Sequence, residues 1–586
     1  MRRSEENMDR EIPSLGSEEI ELYIRTYFSL LRSSVPVRVK ALEETHAGMR
    51  SSLHALAESP LPDIGAFTYA YLRLPPIISQ TRLVMLGQSE EVFARRGYHD
   101  VHLWTPVEAP ARRRKLYYNG NGLLAAFVAS VSDIDDMVPT LTAFQIEWNK
   151  MHHLLNTDKG LVARLQDVAE HGGWTADDSA RVQDALQLED GPWRQLRRLF
   201  GAQLPAKLAE IASREQDLQV LLLASSLTDY ERATRRWWDT IAEHARRVLL
   251  GNRPVYFVSS NTHSILNLLS GYALAHEQDI LDFLHQANPE GLADALDAAT
   301  LDDPDHYNLL YYALRYYLQD KKRATEHHRW LHESGFLHID NPLYLDVSAQ
   351  IFELNRLIPD RFDPRIQMSD LDLLRRSDAL IFNVDYPLGM AAYQVLSEVA
   401  ARFGHIMGVY IMGKAATLNG RVGDAIIPEV VHDEHSRNTF LLRNCFSAQD
   451  VAPFMKRGSV LDNQKALTVR GTFLQNRDFM HVFYREGYTD LEMEAGPYLS
   501  AVYENNYPKR YPVNEIVKLY NVRYDVGILH YASDTPYSKR QQLLSESLRF
   551  RGVEPTYAES IAILRRIFTR EIERQKYHHT ATSEAP

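Results

Sequence analysis

Apolar residues recur at helical spacing along most of the first 250 positions. The stretch SEEIELYIRTYFSLLRSS opens on Ser17, a good capping residue, and continues with apolar side chains three and four apart. The same period predicts helices over 140–156, 177–222 and 227–250, the last ending on Gly251-Asn252. Between them, ARRRKLYYNGNGLLAAFVASV sets Asn119-Gly120 as a turn between two apolar runs. The texture changes at Pro254. PVYFVSSNTHS is a short β-branched and aromatic run that ends in small polar residues, and ILNLLSGYALAHEQDILDFL after it reads as a helix. Residues 275–345 return to tyrosine-rich helical patterns. From about 377 the alternation becomes strand and helix: ALIFNVDYPLG, HIMGVYIMGKA, GDAIIPEVV, ALTVRGTFL and DVGILHYASD read as strands. AAYQVLSEVAARFG, EMEAGPYLSAVYENN and ESIAILRRIFTREIERQ read as helices. Near-continuous apolar strands alternating with helices predict a mainly parallel or mixed sheet covered on both faces.

The expected architecture is an α/β C-terminal domain preceded by a mostly α-helical N-terminal region. The boundaries fall at 1–250 (helical), 251–345 (a first strand plus a helical insertion), 346–575 (the α/β domain) and 576–586 (a disordered tail). No repeat is visible.

Composition narrows the function. The chain has 586 residues, with 45% hydrophobic and 24% charged, so several cored domains are available. The net charge of −12 speaks against a nucleic-acid partner, which needs basic surface. A small phosphorylated ligand needs only a local cation. One cysteine, Cys445, leaves no intramolecular disulfide and no cysteine-based zinc site. The basic N-terminal residues have no apolar segment behind them, and no run is long enough to span a bilayer. A cytoplasmic protein without a membrane partner is expected.

Three segments carry candidate chemistry. In IMGKAATLNGRVGDAIIP a strand ends at Gly413 and Lys414, and small residues there let backbone N–H groups approach a ligand. A plain turn at Gly423-Asp424 is the simpler reading of its second half. In LEMEA, Glu492 and Glu494 flank Met493 at a helix start. Acidic residues favour that end of a helix, and a carboxylate also suits the two hydroxyls of a ribose. In HYASDTPYSKR a strand ends on Ser533-Asp534, where the Asp either caps the next helix or serves a site at the carboxyl end of the sheet.

Together, in this order and context, the three segments resemble the nucleoside phosphorylase/nucleosidase superfamily, in style most similar to AMP nucleosidase. The resemblance covers roughly 377–570, with 254–270 as a displaced first strand. It implies cleavage of an N-glycosidic bond in a purine nucleotide or nucleoside, without metal or organic cofactor. It implies Asp534 as general acid at the base, Glu494 on the ribose hydroxyls with Met493 against the sugar, Glu492 and Ser533 beside them, and Phe473 stacked on the base. Ser260, Asn261 and His263 would face the ligand from the first strand. Residues Ile411-Met412 precede Gly413 where phosphorolytic members keep an arginine, which favours water over phosphate as nucleophile. Lys414 is then a contact for a substrate phosphate or an ordinary surface lysine. The segment between Glu494 and Asp534 is longer than in compact members, and ENNYPKRYPVNEIVKLYN within it suits a lid or an oligomer contact. The alternatives are a phosphorylase of the same fold, with phosphate as second substrate, and a non-catalytic nucleotide sensor. Superfamily members are usually oligomers, so a homo-oligomer is expected, with the helical half serving oligomerisation or regulation.

Other clusters carry less. His327, His328 and His332 lack a further ligand, and His432 to His435 shape a turn beside the site or a solvated one. Arg112 to Lys115 reads as a solvated basic face. Asp133, Asp135 and Asp136 fit no calcium loop, and Ser259, Ser260 and His263 form no hydrolase triad.

Overall fold

A computed structural model describes residues 15–224, 226–248, 250–297, 304–341, 344–535 and 552–583. The chain divides into two units. The first comprises residues 1–226 and 470–486; the second comprises 227–469 and 487–586.

The first unit is richer in strands than its helical periodicity suggests. Its helices include Leu15–Leu31 and the 25-residue Val131–Leu155, which Ser130 and Asp133 cap reciprocally. The first of these begins ahead of Ser17, so Ser17 is not its cap. Among the helices lies a six-stranded sheet. Leu83–Gly87 runs parallel to both Leu123–Phe127 and Gln219–Leu222 at its centre. Arg112–Tyr118 is joined to Leu123–Phe127 through the turn at Asn119, whose side-chain oxygen accepts the N–H of Asn121 and Leu123. The basic run at Arg112 is not a solvated face. Arg114 is buried, bonded to Asp133 and Asp136, and Arg112 reaches Asp136 at 2.7 Å. Asp133 and Asp136 are thus the counter-charges of this run, whereas Asp135 pairs with Arg470 and accepts from the Tyr27 hydroxyl.

The second unit is built on an eleven-stranded sheet among the described residues. Its strands are β1 (Pro254–Ser260), β2 (Phe336–Ile339), β3 (Ala349–Glu353), β4 (Leu380–Asp385), β5 (His405–Thr417), β6 (Ala425–Asp433), β7 (Thr439–Leu441), β8 (Val460–Thr468), β9 (Asp490–Glu492), β10 (Ile516–Lys518) and β11 (Asp525–Asp534). The order is β10-β7-β6-β8-β9-β5-β1-β4-β3-β2, with β11 against β5 and β6. The four apolar strands β4, β1, β5 and β11 are parallel, so their carboxyl ends share one edge. The run from Pro254 therefore lies at the centre of the same sheet as the later strands.

Helices cover both faces. Tyr256 and Val258 point to one side and pack with α4 (Val553–Ser583) and α1 (Ser264–Ser270). Phe257 points to the other side, its ring 5.7 Å from that of Tyr498 in α3 (Ala495–Asn506), which packs beside α2 (Met390–Arg402). Burial on both faces explains the continuous apolar runs.

Four local expectations change. The strand through Gly413 continues to Thr417 rather than turning there. Glu492 ends a strand, and the helix starts only at Ala495. The strand expected over ALTVRGTFL stops at Thr468, because the chain leaves the sheet and 470–486 belongs to the first unit. Helix α4 runs on to Ser583, past the point where a disordered tail was expected; residues 584–586, the N-terminal residues 1–14 and YSKR after Pro536 lie outside the described residues.

Candidate functional site

Strand register places the predicted residues at comparable heights. Asp385 pairs with Ser260, Ile411 with Ser259 and Ile528, and Gly413 with His530. Asn261 and Asp534 thus stand at the carboxyl edge of parallel strands, where open α/β sheets hold ligands, while Gly413 lies before the end of β5. A Cβ built on Gly413 would meet nothing within 4 Å, so the backbone there borders open space.

Each polar residue has a local cause for its position. Asn261 is buried; its Oδ1 accepts the N–H of His263 (2.9 Å) and Ser264 (2.6 Å) and so fixes the entry to α1. Its carbonyl accepts from the buried amide of Asn383, which in turn accepts from the Ser260 hydroxyl at 2.8 Å. His263 is exposed, its ring 6.2 Å from that of Tyr557.

Glu492 is the buried clamp of the acidic group. Its Oε2 accepts the N–H of Glu494 and Ala495, both at 2.6 Å, and its Oε1 accepts the Thr468 hydroxyl. That hydroxyl also accepts the Gly496 N–H at 2.9 Å. The first turn of α3 is therefore capped by Glu492, which satisfies donors a helix start leaves open. Burial pushes the Glu492 carboxyl above the usual range, against the pull of His530 and these donors. A Cβ on Gly496 would lie 2.5 Å from the Cβ of Asp433, so only glycine lets this turn sit against β6.

Glu494 occupies the cap position and is half-buried, with Met493 beneath it almost fully buried. Its Oε1 lies 3.4 Å from the N–H of Gly389, the residue that opens α2. Two helix starts therefore border this carboxylate.

Asp534 is half-buried at the end of β11. The Ser533 hydroxyl stands 2.9 Å from its Oδ2 and 3.3 Å from the carbonyl of Ala415. The ladder slips here: Ala415 pairs with Ala532 but Ala416 pairs with Asp534, and the irregularity turns the aspartate at the edge of the sheet.

A histidine that sequence reasoning passed over lies between these groups. His530, fully buried in β11, places its Nδ1 2.6 Å from Oδ2 of buried Asp490. Burial lowers its proton affinity, but Asp490, Glu492 and Glu494 outweigh that and the net shift is upward. The signal was present as a lone histidine in an apolar strand, and as the period-two repeat Asp490, Glu492, Glu494.

Other expectations map elsewhere. Phe473, expected to stack on a base, is buried in the first unit, with its ring 5.2 Å from Tyr69 and 6.0 Å from His46. Lys414 is exposed on β5. Asp424 caps its own turn through the N–H of Arg421 and Ser459. Asp433 bonds His435 and Ser436, so that acidic turn is self-contained. In the first unit a groove of roughly 550 Å³ is lined by Trp174, Arg194, Arg197 and Arg198, none of them singled out by the motifs.

The fold thus defines an α/β protein with carboxyl groups near the ends of its central strands. It belongs to a family of unknown function, DUF6909, which matches residues 39–569. No curated protein matches. Solved structures similar to the chain include isoform 2 of uridine phosphorylase from Schistosoma mansoni (9% identity, 31% of this chain and 70% of that chain, TM-score 0.22). Others are the 5'-methylthioadenosine/S-adenosylhomocysteine nucleosidases of S. pneumoniae (9% identity, 54% and 99%, TM-score 0.28) and Neisseria meningitidis (10% identity, 55% and 99%, TM-score 0.27). Among the described residues no helix is long and apolar enough to cross a membrane.

Proposed function

We propose that the second unit hydrolyses the N-glycosidic bond of a purine nucleoside or nucleotide. The observation that carries this reading is that Glu494 and Asp534, two half-buried carboxyl groups from separate motifs, follow or close strands that both pair with β5 near its carboxyl end, β9 antiparallel and β11 parallel. In the proposed reaction Glu494 accepts the ribose hydroxyls and offsets the positive charge that grows on the sugar as the bond stretches. Asp534 in its acid form gives its proton to the base, so the bonding pair leaves on a neutral heterocycle. Water adds to the anomeric carbon and its proton returns to Asp534. The Ser533 hydroxyl, 2.9 Å away, orients the Asp534 carboxyl. Glu492 and the Asp490–His530 pair act as positioning residues, fixing the helix start on which Glu494 sits.

Water is preferred to phosphate because Ile411 and Met412, both buried and apolar, occupy the place where a phosphate-binding arginine would stand. The first unit is assigned no chemistry; its proposed service is oligomerisation or regulation.

Base release from a panel of nucleosides and nucleotides, with and without phosphate, tests the reading. Asp534→Asn should lower the rate by about 10²–10⁴. Release that requires Asp534 but not phosphate supports hydrolysis. Phosphate-dependent release turns the reading to phosphorolysis, and no release from any compound overturns it.

A further inference from the structure

The closing helix α4 places a carboxyl group where no structural role accounts for it. Glu559 is 0% exposed, and among the described residues neither of its side-chain oxygens has a hydrogen-bond partner. A buried, unsatisfied polar group destabilises the fold, and native structures hold few of them. Its neighbours in the helix are accounted for. Ser560 bonds the Ser264 hydroxyl at 2.7 Å, and the Tyr557 hydroxyl accepts the Asn267 amide at 2.8 Å.

Two more orphaned groups lie beside it. Among the described residues the Asn261 side-chain nitrogen and the Tyr386 hydroxyl, which stand close to each other, are also buried without a well-formed hydrogen bond. The Tyr386 hydroxyl lies near the Asn261 side chain and the Tyr531 hydroxyl, and Glu559 lies within electrostatic reach of both tyrosines. Asn261 follows β1, Tyr386 follows β4, and Tyr531 lies near the end of β11. The cluster thus belongs to the same carboxyl edge as Asp534. Tyr386 also holds a φ of 28°, in the left-handed region that a bulky residue enters only under strain. Orphaned polar atoms and backbone strain therefore coincide at one place.

The chemistry of the set specifies what would satisfy it. With nothing to compensate a charge, Glu559 is held in its acid form by burial. It then offers one O–H donor beside one carbonyl acceptor, Asn261 adds an N–H donor, and Tyr386 adds a hydroxyl of either sense. Among the described residues no cation acts on Glu559. Resting on the glycosidase reading above, we infer that Glu559, Asn261 and Tyr386 form the subsite for a neutral heterocyclic base, held through an edge that carries a donor beside an acceptor.

The test is calorimetric binding of adenine, hypoxanthine, uracil and ribose to the full chain and its variants. At least one base should bind wild type, and ribose alone should not. Glu559→Leu should weaken that base by about tenfold or more, the loss expected for a buried hydrogen-bonded pair. Glu559→Gln, which keeps a donor beside an acceptor, should stay within about threefold of wild type. Tyr386→Phe and Asn261→Ala give the same readout if Glu559→Leu does not fold. Base binding that is indifferent to all three positions, or no base binding by wild type, overturns the subsite. Base binding that needs Glu559 in a protein that releases no base keeps the subsite and removes the glycosidase reading. The two failures are therefore distinguishable.

Discussion

In the first unit Asp133 and Asp136 are buried against Arg114, with oxygens 2.7 and 3.0 Å from its Nη2. In the same unit His54 joins His46 at 3.0 Å to Glu147 at 2.7 Å, and Glu147 also accepts from Lys150. In the second unit Glu559 is as deeply buried as any of these and meets no donor. The two regions hold similar residues at similar depth. What differs is whether each charge has a counterpart supplied by the chain itself. A paired buried network fixes its elements relative to one another, whereas an unpaired group leaves a hydrogen bond for something that is not the chain. The edge acids Glu494 and Asp534 fall between these extremes, half-buried and partly bonded.

That comparison breaks most sharply at Arg114. Arg114→Ala leaves two buried carboxylates facing Arg112 alone and should cost about 3–5 kcal/mol, read by chemical denaturation. A loss under about 1 kcal/mol would show that the network is solvated and the contrast empty. Gly496→Val drives a side chain into Asp433 and should destabilise by about 1–3 kcal/mol. Glu492→Ala removes the cap of α3 and should cost about 1–2 kcal/mol. Both losses appear in thermal melts, and in both variants Glu494 loses its anchored backbone.

The smallest effect has the opposite sign. Burial holds the Glu559 carboxyl well above its ordinary range. The folded state therefore keeps that proton at pH values where the unfolded chain has released it. Stability contributed by this group falls as pH rises past the ordinary carboxyl range, until the folded group itself titrates. Glu559→Gln removes that slope. Melting temperatures followed from about pH 5 to about pH 8 should be flatter for the variant and higher at the alkaline end. An unchanged slope would mean that Glu559 is already paired in solution.

Several features were legible before the structure. The strands at 380–385, 405–417 and 525–534 are long apolar runs closed by polar residues, and their pattern leaves little choice of element. Asp534 closes the last of these runs and Asn261 follows the run at 254–260, whereas Glu494 was marked only by the acidic pattern of LEMEA. The first unit's sheet was hidden because strands such as LVMLG and QVLL are four or five residues long, too short to be told from buried helix by period. Phe473 misled because it follows a strand in sequence, while the chain turns away at Val469 into another core. His530 was hidden because a single polar residue in an apolar strand has no periodicity.

What the sequence determined by itself is the alternation of elements and the chemistry at the ends of the strongest strands. Hydrophobic period and turn residues are local, and they act before the chain is folded. What only the tertiary structure decided is which charges meet. Arg114 finds Asp133 across 19 residues, and His530 finds Asp490 across 40. Whether a buried acid is answered or orphaned depends on which segments the topology brings beside it, and no local pattern around Glu559 encodes that.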